Sequence, residues 1–160
     1  MALKYEYHEK DNNFDERVLQ KEPAYLTGYF QSEKYFEDVK KLVRETFVFS
    51  KRIWKEVSKE QAENIKAYKK RIEEDLSVAV HVRRGDYLQA SEIYGGICTE
   101  EYYSKAISLL KEMFPKAVFY VFSNDTKWAA NWVPKYATEE NPFVVIEGTS
   151  EETGYLDLLL

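Results

Sequence analysis

A change of period at residue 76 constrains this chain more than any other feature. Before it, apolar side chains recur every three or four residues, at Tyr35, Phe36, Val39, Leu42 and Val43 and again at Ala62, Ile65, Tyr68, Ile72 and Leu76. That is the spacing of one helical face. After it the apolar residues fall into short runs rich in β-branched side chains: Ser77-Val-Ala-Val-His-Val-Arg83, Ala117-Val-Phe-Tyr-Val-Phe-Ser123 and Phe143-Val-Val-Ile146. Such runs read as buried strands. Between them Thr99 is placed to cap a helix from about Glu100 to Phe114, with Tyr103, Ala106, Ile107 and Leu110 on one face and Pro115 as its stop. Asp125 to Trp132 is a shorter helix, and Ser150 can cap a last one running toward Leu160. Strand, helix, strand, helix, strand, helix is the order of a parallel sheet with right-handed crossovers, so the fold class is α/β.

The first part of the chain reads as loop and helix. Residues 1–24 are polar, with turn signals at Asp11-Asn12-Asn13 and Pro23. Ser32 can cap a helix to about Thr46, and Ser58 with Gln61 spells a capping box. The Lys, Arg and Glu residues opposite the second apolar stripe read as a solvated face. Charge divides at the same place as period. Residues 1–75 carry 16 basic and 16 acidic side chains, residues 76–160 carry 7 and 12, and the whole deficit of five lies in the second part. We therefore expect a boundary at residues 75/76. An acidic chain of 160 residues is not a nucleic-acid binder that works by broad phosphate neutralisation. It can bury one real core, as one domain or pieces of two.

Cysteine and histidine narrow the chemistry. Cys98 is the only cysteine, and His8 and His81 are the only histidines, which excludes an intrachain disulfide, a cysteine metal cluster and a His-rich zinc site. No metal site is expected. Met1 to Lys10 is already charged, and no apolar run reaches the roughly 18 residues of a membrane span. The expectation is a reduced, cytoplasmic protein, at most peripheral to a membrane. The 13 Tyr and 9 Phe fit ordinary core packing better than a carbohydrate-facing surface.

Open parallel sheets bind ligands outside the carboxyl ends of their strands. Three such ends are His81-Val-Arg-Arg-Gly-Asp-Tyr87, Phe122-Ser-Asn-Asp125 and Glu147-Gly-Thr-Ser150. The first sets two permanent positive charges at the mouth of the sheet. A guanidinium fork suits a phosphate or diphosphate, and Gly85 lets the backbone turn or approach a ligand closely. Strand alternation would put His81 and Arg83 on one face and Val82 and Arg84 on the other. A structural alternative stands beside this reading, in which Arg83, Arg84 and Asp86 close the loop as an ion-pair network. Arg84-Gly85-Asp86 also spells a cell-adhesion tripeptide, which a strand-end context does not favour. Trp128 and Trp132, four apart, read as packing.

His81-Val-Arg-Arg-Gly-Asp-Tyr87 matches in full the HxRRxDY motif of the family 11 glycosyltransferases, the α-1,2-fucosyltransferases, and the chain resembles that family from about residue 14 onward. Gly28-Tyr-Phe-Gln-Ser-Glu-Lys-Tyr-Phe36, Gly96-Ile-Cys-Thr-Glu-Glu-Tyr-Tyr103 and Phe122-Ser-Asn-Asp125, where members commonly show FSDD, agree in order and spacing. The resemblance implies inverting, metal-independent transfer of L-fucose from GDP-fucose, a donor substrate rather than a cofactor, to the 2-hydroxyl of a galactose-containing glycan. It implies a GT-B architecture of two facing Rossmann-like domains. Residues 1–75 would then be the end of the acceptor-side domain and a helical connector, and residues 76–160 the first half of the donor domain, with about three strands.

Residue by residue, the resemblance makes Arg83 and Arg84 the clamp on the donor diphosphate, stabilising charge on departing GDP. His81 would bond the nucleotide, Asp86 would orient an arginine, and Tyr87 would join the substrate site. Asn124 and Asp125 would line the nucleotide pocket, and Asp157 would read the guanine edge. Each has a plainer alternative: a core histidine for His81, a helix cap for Asp125, an exposed helix residue for Asp157. The family pattern also includes a Gly-rich opening, which nothing before Lys4 matches, and a Ser- and Trp-containing motif beyond the Asp157 region. The expectation is an internal fragment, inactive alone, whose catalytic base is unassigned, Asp86 being a candidate. Its sheet edge would be open to self-association. A nucleotide- or GDP-sugar-binding module without catalysis is the remaining alternative.

Overall fold

The computed structural model describes residues 5–11, 13–20, 24–89, 92, 96–149 and 153–160, with the Asp86 side chain also excepted. The chain divides into two compact units, Met1–Ser50 and Lys51–Leu160.

In the first unit β1 (Tyr5–His8) and β2 (Ala24–Thr27) pair in parallel, Tyr5 opposite Ala24. The sequence reads as loop over residues 1–24 and marks no strand here, because both strands are mostly exposed and their mixed side chains show no alternation. Past β2 the chain turns tightly over Glu9, whose Oε2 accepts the N–H groups of Tyr29 (2.7 Å) and Phe30 (3.1 Å). Gly28 is required at this turn, since a Cβ there would lie 2.4 Å from the Cβ of Glu9. The single helix expected from Ser32 to Thr46 is two: a 3₁₀ helix over Glu33–Val39, then α1 (Lys40–Thr46). A 3₁₀ helix turns every three residues, so the predicted stripe loses its line. Phe36, Val39 and Leu42 stay exposed, while Tyr35 joins a ring cluster with Phe14 and Phe30.

The second unit holds α2 (Lys59–Glu74), β3 (Ser77–Val82), α3 (Gly85–Gln89), α4 (Glu100–Met113), β4 (Val118–Ser123), α5 (Thr126–Trp132) and β5 (Phe143–Val145). The three strands form a parallel sheet in the order β3-β4-β5. This is the Rossmann-like α/β arrangement that the strand–helix alternation predicts. The last helix is a 3₁₀ turn over Gly154–Leu159, and its expected cap, Ser150, lies outside the described residues.

Both faces of the sheet are packed. On one, Val80, Val82, Phe119 and Val121 meet Ile107 of α4 and Ala129 and Trp132 of α5. On the other, Tyr120, Phe122 and Ile146 meet Tyr68 and Ile72 of α2. The continuous apolar run of β4 is thus a central strand buried on both sides. β3 departs from the buried strand expected of it. It is an edge strand whose Ser77, Ala79 and His81 are exposed while Val80 and Val82 are buried.

α2 begins as its sequence says it should. The Ser58 hydroxyl accepts from the Gln61 N–H (3.1 Å), and the Gln61 side chain accepts from the Ser58 N–H (3.2 Å). Ile65 packs on Ile53 and Leu156, while Lys59–Glu63, Lys69–Glu73 and Lys70–Glu74 pair across the solvated face. Ser58→Ala is expected to cost about 1 kcal/mol, read as a lower urea midpoint with an unchanged slope.

Candidate functional site

The carboxyl ends of β3 and β4 lie side by side, with Val82 paired to Ser123, and the turn after β4 holds the turn after β3. The Ser123 hydroxyl donates to the Val82 carbonyl (2.7 Å) and accepts the Asp125 N–H (3.1 Å). Asn124 Oδ1 accepts the backbone N–H groups of Arg84 (2.8 Å) and Gly85 (3.4 Å), the opening of α3. A Cβ at Gly85 would stand 2.7 Å from the Asn124 amide nitrogen, so a larger residue there displaces the side chain that holds the loop.

Arg84 is fixed from several sides. Its guanidinium carbon lies 4.1 Å from the Trp128 ring centroid, and its Nε, buried and without a hydrogen-bond partner among the described residues, is 3.7 Å from Asp125 Oδ2. Asp125 Oδ1 caps α5 by accepting the Trp128 N–H (3.0 Å), so the helix-cap alternative for Asp125 holds. Arg83 is exposed, its guanidinium 5.2 Å from the Tyr87 ring. The strand ends at Val82, so the alternation expected to carry Arg83 to the face of His81 does not reach it. Arg83, Arg84, Tyr87 and Trp128 instead line one cleft of about 340 Å³.

His81 and Asp157 line another cleft, of about 470 Å³, with Ile72, Ala79, Tyr120 and Phe122. Its walls are largely apolar. The Tyr120 hydroxyl donates to Asp75 (2.6 Å), and burial together with that bond pushes it up to about 12. Burial likewise raises the Asp157 carboxyl above its ordinary value, while the Thr149 hydroxyl and His81 draw it down. Asp157 Oδ1 is buried without a hydrogen-bond partner among the described residues. His81 is exposed, which removes the core-histidine alternative. Strand alternation sets His81 and Val82, one in each cleft, on opposite faces of the sheet.

Five of the predicted residues thus fall into two groups at one strand end, Arg83, Arg84 and Tyr87 in one cleft and His81 and Asp157 in the other. Asn124 and Asp125 line neither cleft and sit behind the arginine loop. The Asp86 side chain lies outside the described ones. Ser123 and Thr149 lie in strand ends that the sequence marks, but without an assigned role, and the platform contact of Trp128 has no signal in the sequence. Trp128 stands three residues after the cap residue Asp125, but nothing in that spacing points to Arg84.

A family model described as Glycosyl transferase family 11 matches residues 2–147. That stretch includes both strand-end segments and stops short of Asp157. The Alpha-1,2-colitosyltransferase of Escherichia coli is 35% identical over 132 residues, which is 78% of this chain and 41% of that protein. The O-antigen biosynthesis glycosyltransferase WbnK of Escherichia coli is 36% identical over 97 residues, 58% of this chain and 30% of that protein. The chain therefore spans less than half the length of these relatives. No solved structure matches it.

Proposed function

The chain belongs to glycosyl transferase family 11, and from that premise we propose that it carries the diphosphate-binding part of a GDP-sugar donor site. The observation that carries this reading is the pair of guanidinium groups in one cleft at the carboxyl end of β3, within the acidic part of the chain. In the transfer reaction the anomeric bond breaks and negative charge grows on the leaving diphosphate. Arg83 and Arg84 stabilise that charge at fixed positions, as an inverting transfer without a metal requires. The base occupies the His81 cleft, where Asp157 accepts from the N1–H and 2-amino group of guanine. The sugar passes to the 2-hydroxyl of a galactose-containing glycan in the complete enzyme. L-fucose is the expected sugar. Colitose is the second reading, favoured by the name of the colitosyltransferase relative. Colitose is fucose lacking the 3-hydroxyl, so either sugar presents the same diphosphate to the arginines.

Calorimetric titration with GDP, UDP and ADP tests the reading. GDP is expected to bind at least about tenfold tighter than the other two, and Asp157→Asn to remove most of that preference, since an amide nitrogen opposes the guanine donors. Only the ionised carboxyl accepts both donors. GDP affinity therefore falls as pH drops through the raised Asp157 pKa, beginning above the ordinary carboxylate range, and Asp157→Asn lacks this acid-side loss. A folded chain that takes up no GDP would leave the arginines as a structural network.

A further inference from the structure

We infer that Trp128, through its indole ring, is a positioning residue that holds the Arg84 guanidinium flat and so presents its edge to the donor diphosphate. The inference rests on the proposed GDP-sugar site. Its ground is the geometry of stacking. A guanidinium on an aromatic face uses its π surface for the contact and leaves its in-plane N–H donors available for a planar or bidentate acceptor. The Arg84 guanidinium carbon lies over the Trp128 ring, 4.1 Å from its centroid, and the Arg84 side chain is only 27% exposed.

The platform is itself immobilised. Trp128 stands in the first turn of α5, its N–H bonded to Asp125, and its ring stacks on Trp132 at 5.3 Å and 22°. Trp132 is buried and donates its indole N–H to Glu100 Oε2 (2.9 Å). Arg84 also has its backbone tied to Asn124 and its Nε near Asp125, so the order of the head group comes from the sheet core outward. Ordering the long side chain before the ligand arrives lowers the entropic cost of binding. Arg83, exposed on the same cleft, has the Tyr87 ring centroid 5.2 Å from its guanidinium.

The test is a double-mutant cycle on GDP affinity, with folding monitored by circular dichroism. Trp128→Leu is expected to weaken GDP binding about tenfold, and Trp128→Phe, which keeps an aromatic face, by no more than about threefold. In an Arg84→Ala background Trp128→Leu should change affinity by less than about twofold, because the group it positions is gone. A purely structural role would move affinity equally in both backgrounds, and that result overturns the inference, as does an unaltered affinity in Trp128→Leu beside a clear loss in Arg84→Ala. If the leucine variant does not fold, Trp128→Met takes its place in the same cycle. Absence of GDP binding by the unmutated chain overturns the donor-site reading, and this inference with it.

Discussion

Arg84→Ala is expected to weaken GDP binding by about 2–4 kcal/mol, or about 30- to 1,000-fold, while leaving the unfolding midpoint nearly unchanged. The size follows from where the charge sits. A guanidinium that is largely sheltered from water and already oriented loses little on meeting a diphosphate, and its removal leaves that anion without a charge-assisted donor. Stability is spared because the loop is held by Asn124 and Ser123 through backbone groups of residues 82, 84 and 85, which alanine retains. Arg84→Lys should recover only part of the affinity. An ammonium keeps the charge but can neither lie flat on Trp128 nor donate as a fork. Titration calorimetry of the three proteins decides the matter, and equal affinities would remove Arg84 from the site.

Trp132→Ala should lower stability by about 3–5 kcal/mol, the range for deleting a large buried aromatic. The ring is 2% exposed, packs within 4.8–5.5 Å of the centroids of Tyr136, Trp128 and Tyr103, and bonds Glu100. Against the roughly 5–15 kcal/mol that separates most native domains from their unfolded chains, this is a large fraction. A thermal scan should show a fall of more than about 10 °C. Trp132→Phe, which retains a ring but not the indole donor, should fall between the two. A near-native midpoint for the alanine variant would mean that the cluster around Trp132 is not the main stabilising core of the second unit.

What could be read in advance were features written locally. The capping box at Ser58, the cap at Thr99 and the apolar runs of β3, β4 and β5 each depend on residues a few positions apart, and all appear in the structure. The arginine pair was legible for the same reason, as charge at the end of a strand. The rest depends on partners distant in sequence. Whether β3 ends at Val82 or carries on to Arg83 is decided by Asn124, forty residues on, which catches the Arg84 N–H. The contact of Arg84 with Trp128 is equally remote, so a spacing of four between two tryptophans pointed only to packing. Exposed strands such as β1 and β2 lack the apolar rhythm that reveals a strand. The helical stripe at Phe36 to Leu42 misled because periodicity does not distinguish an α from a 3₁₀ turn.

The tie between Asn124 and Arg84 also bears on the order of events during folding. On the ribosome Arg84 is made forty residues before the asparagine that will hold it, and at about 5–20 residues per second that gap lasts seconds. Through that interval the loop after β3 has neither the side-chain acceptor for its backbone N–H groups nor the indole beneath its arginine. Parallel pairing of β3 with β4 must close the intervening α3 and α4 segment first, and the entropy of that closure is spent before any bond at the strand ends can form. The arginine loop therefore takes its shape only after β4 has paired with β3 and α5 has brought Trp128 into place.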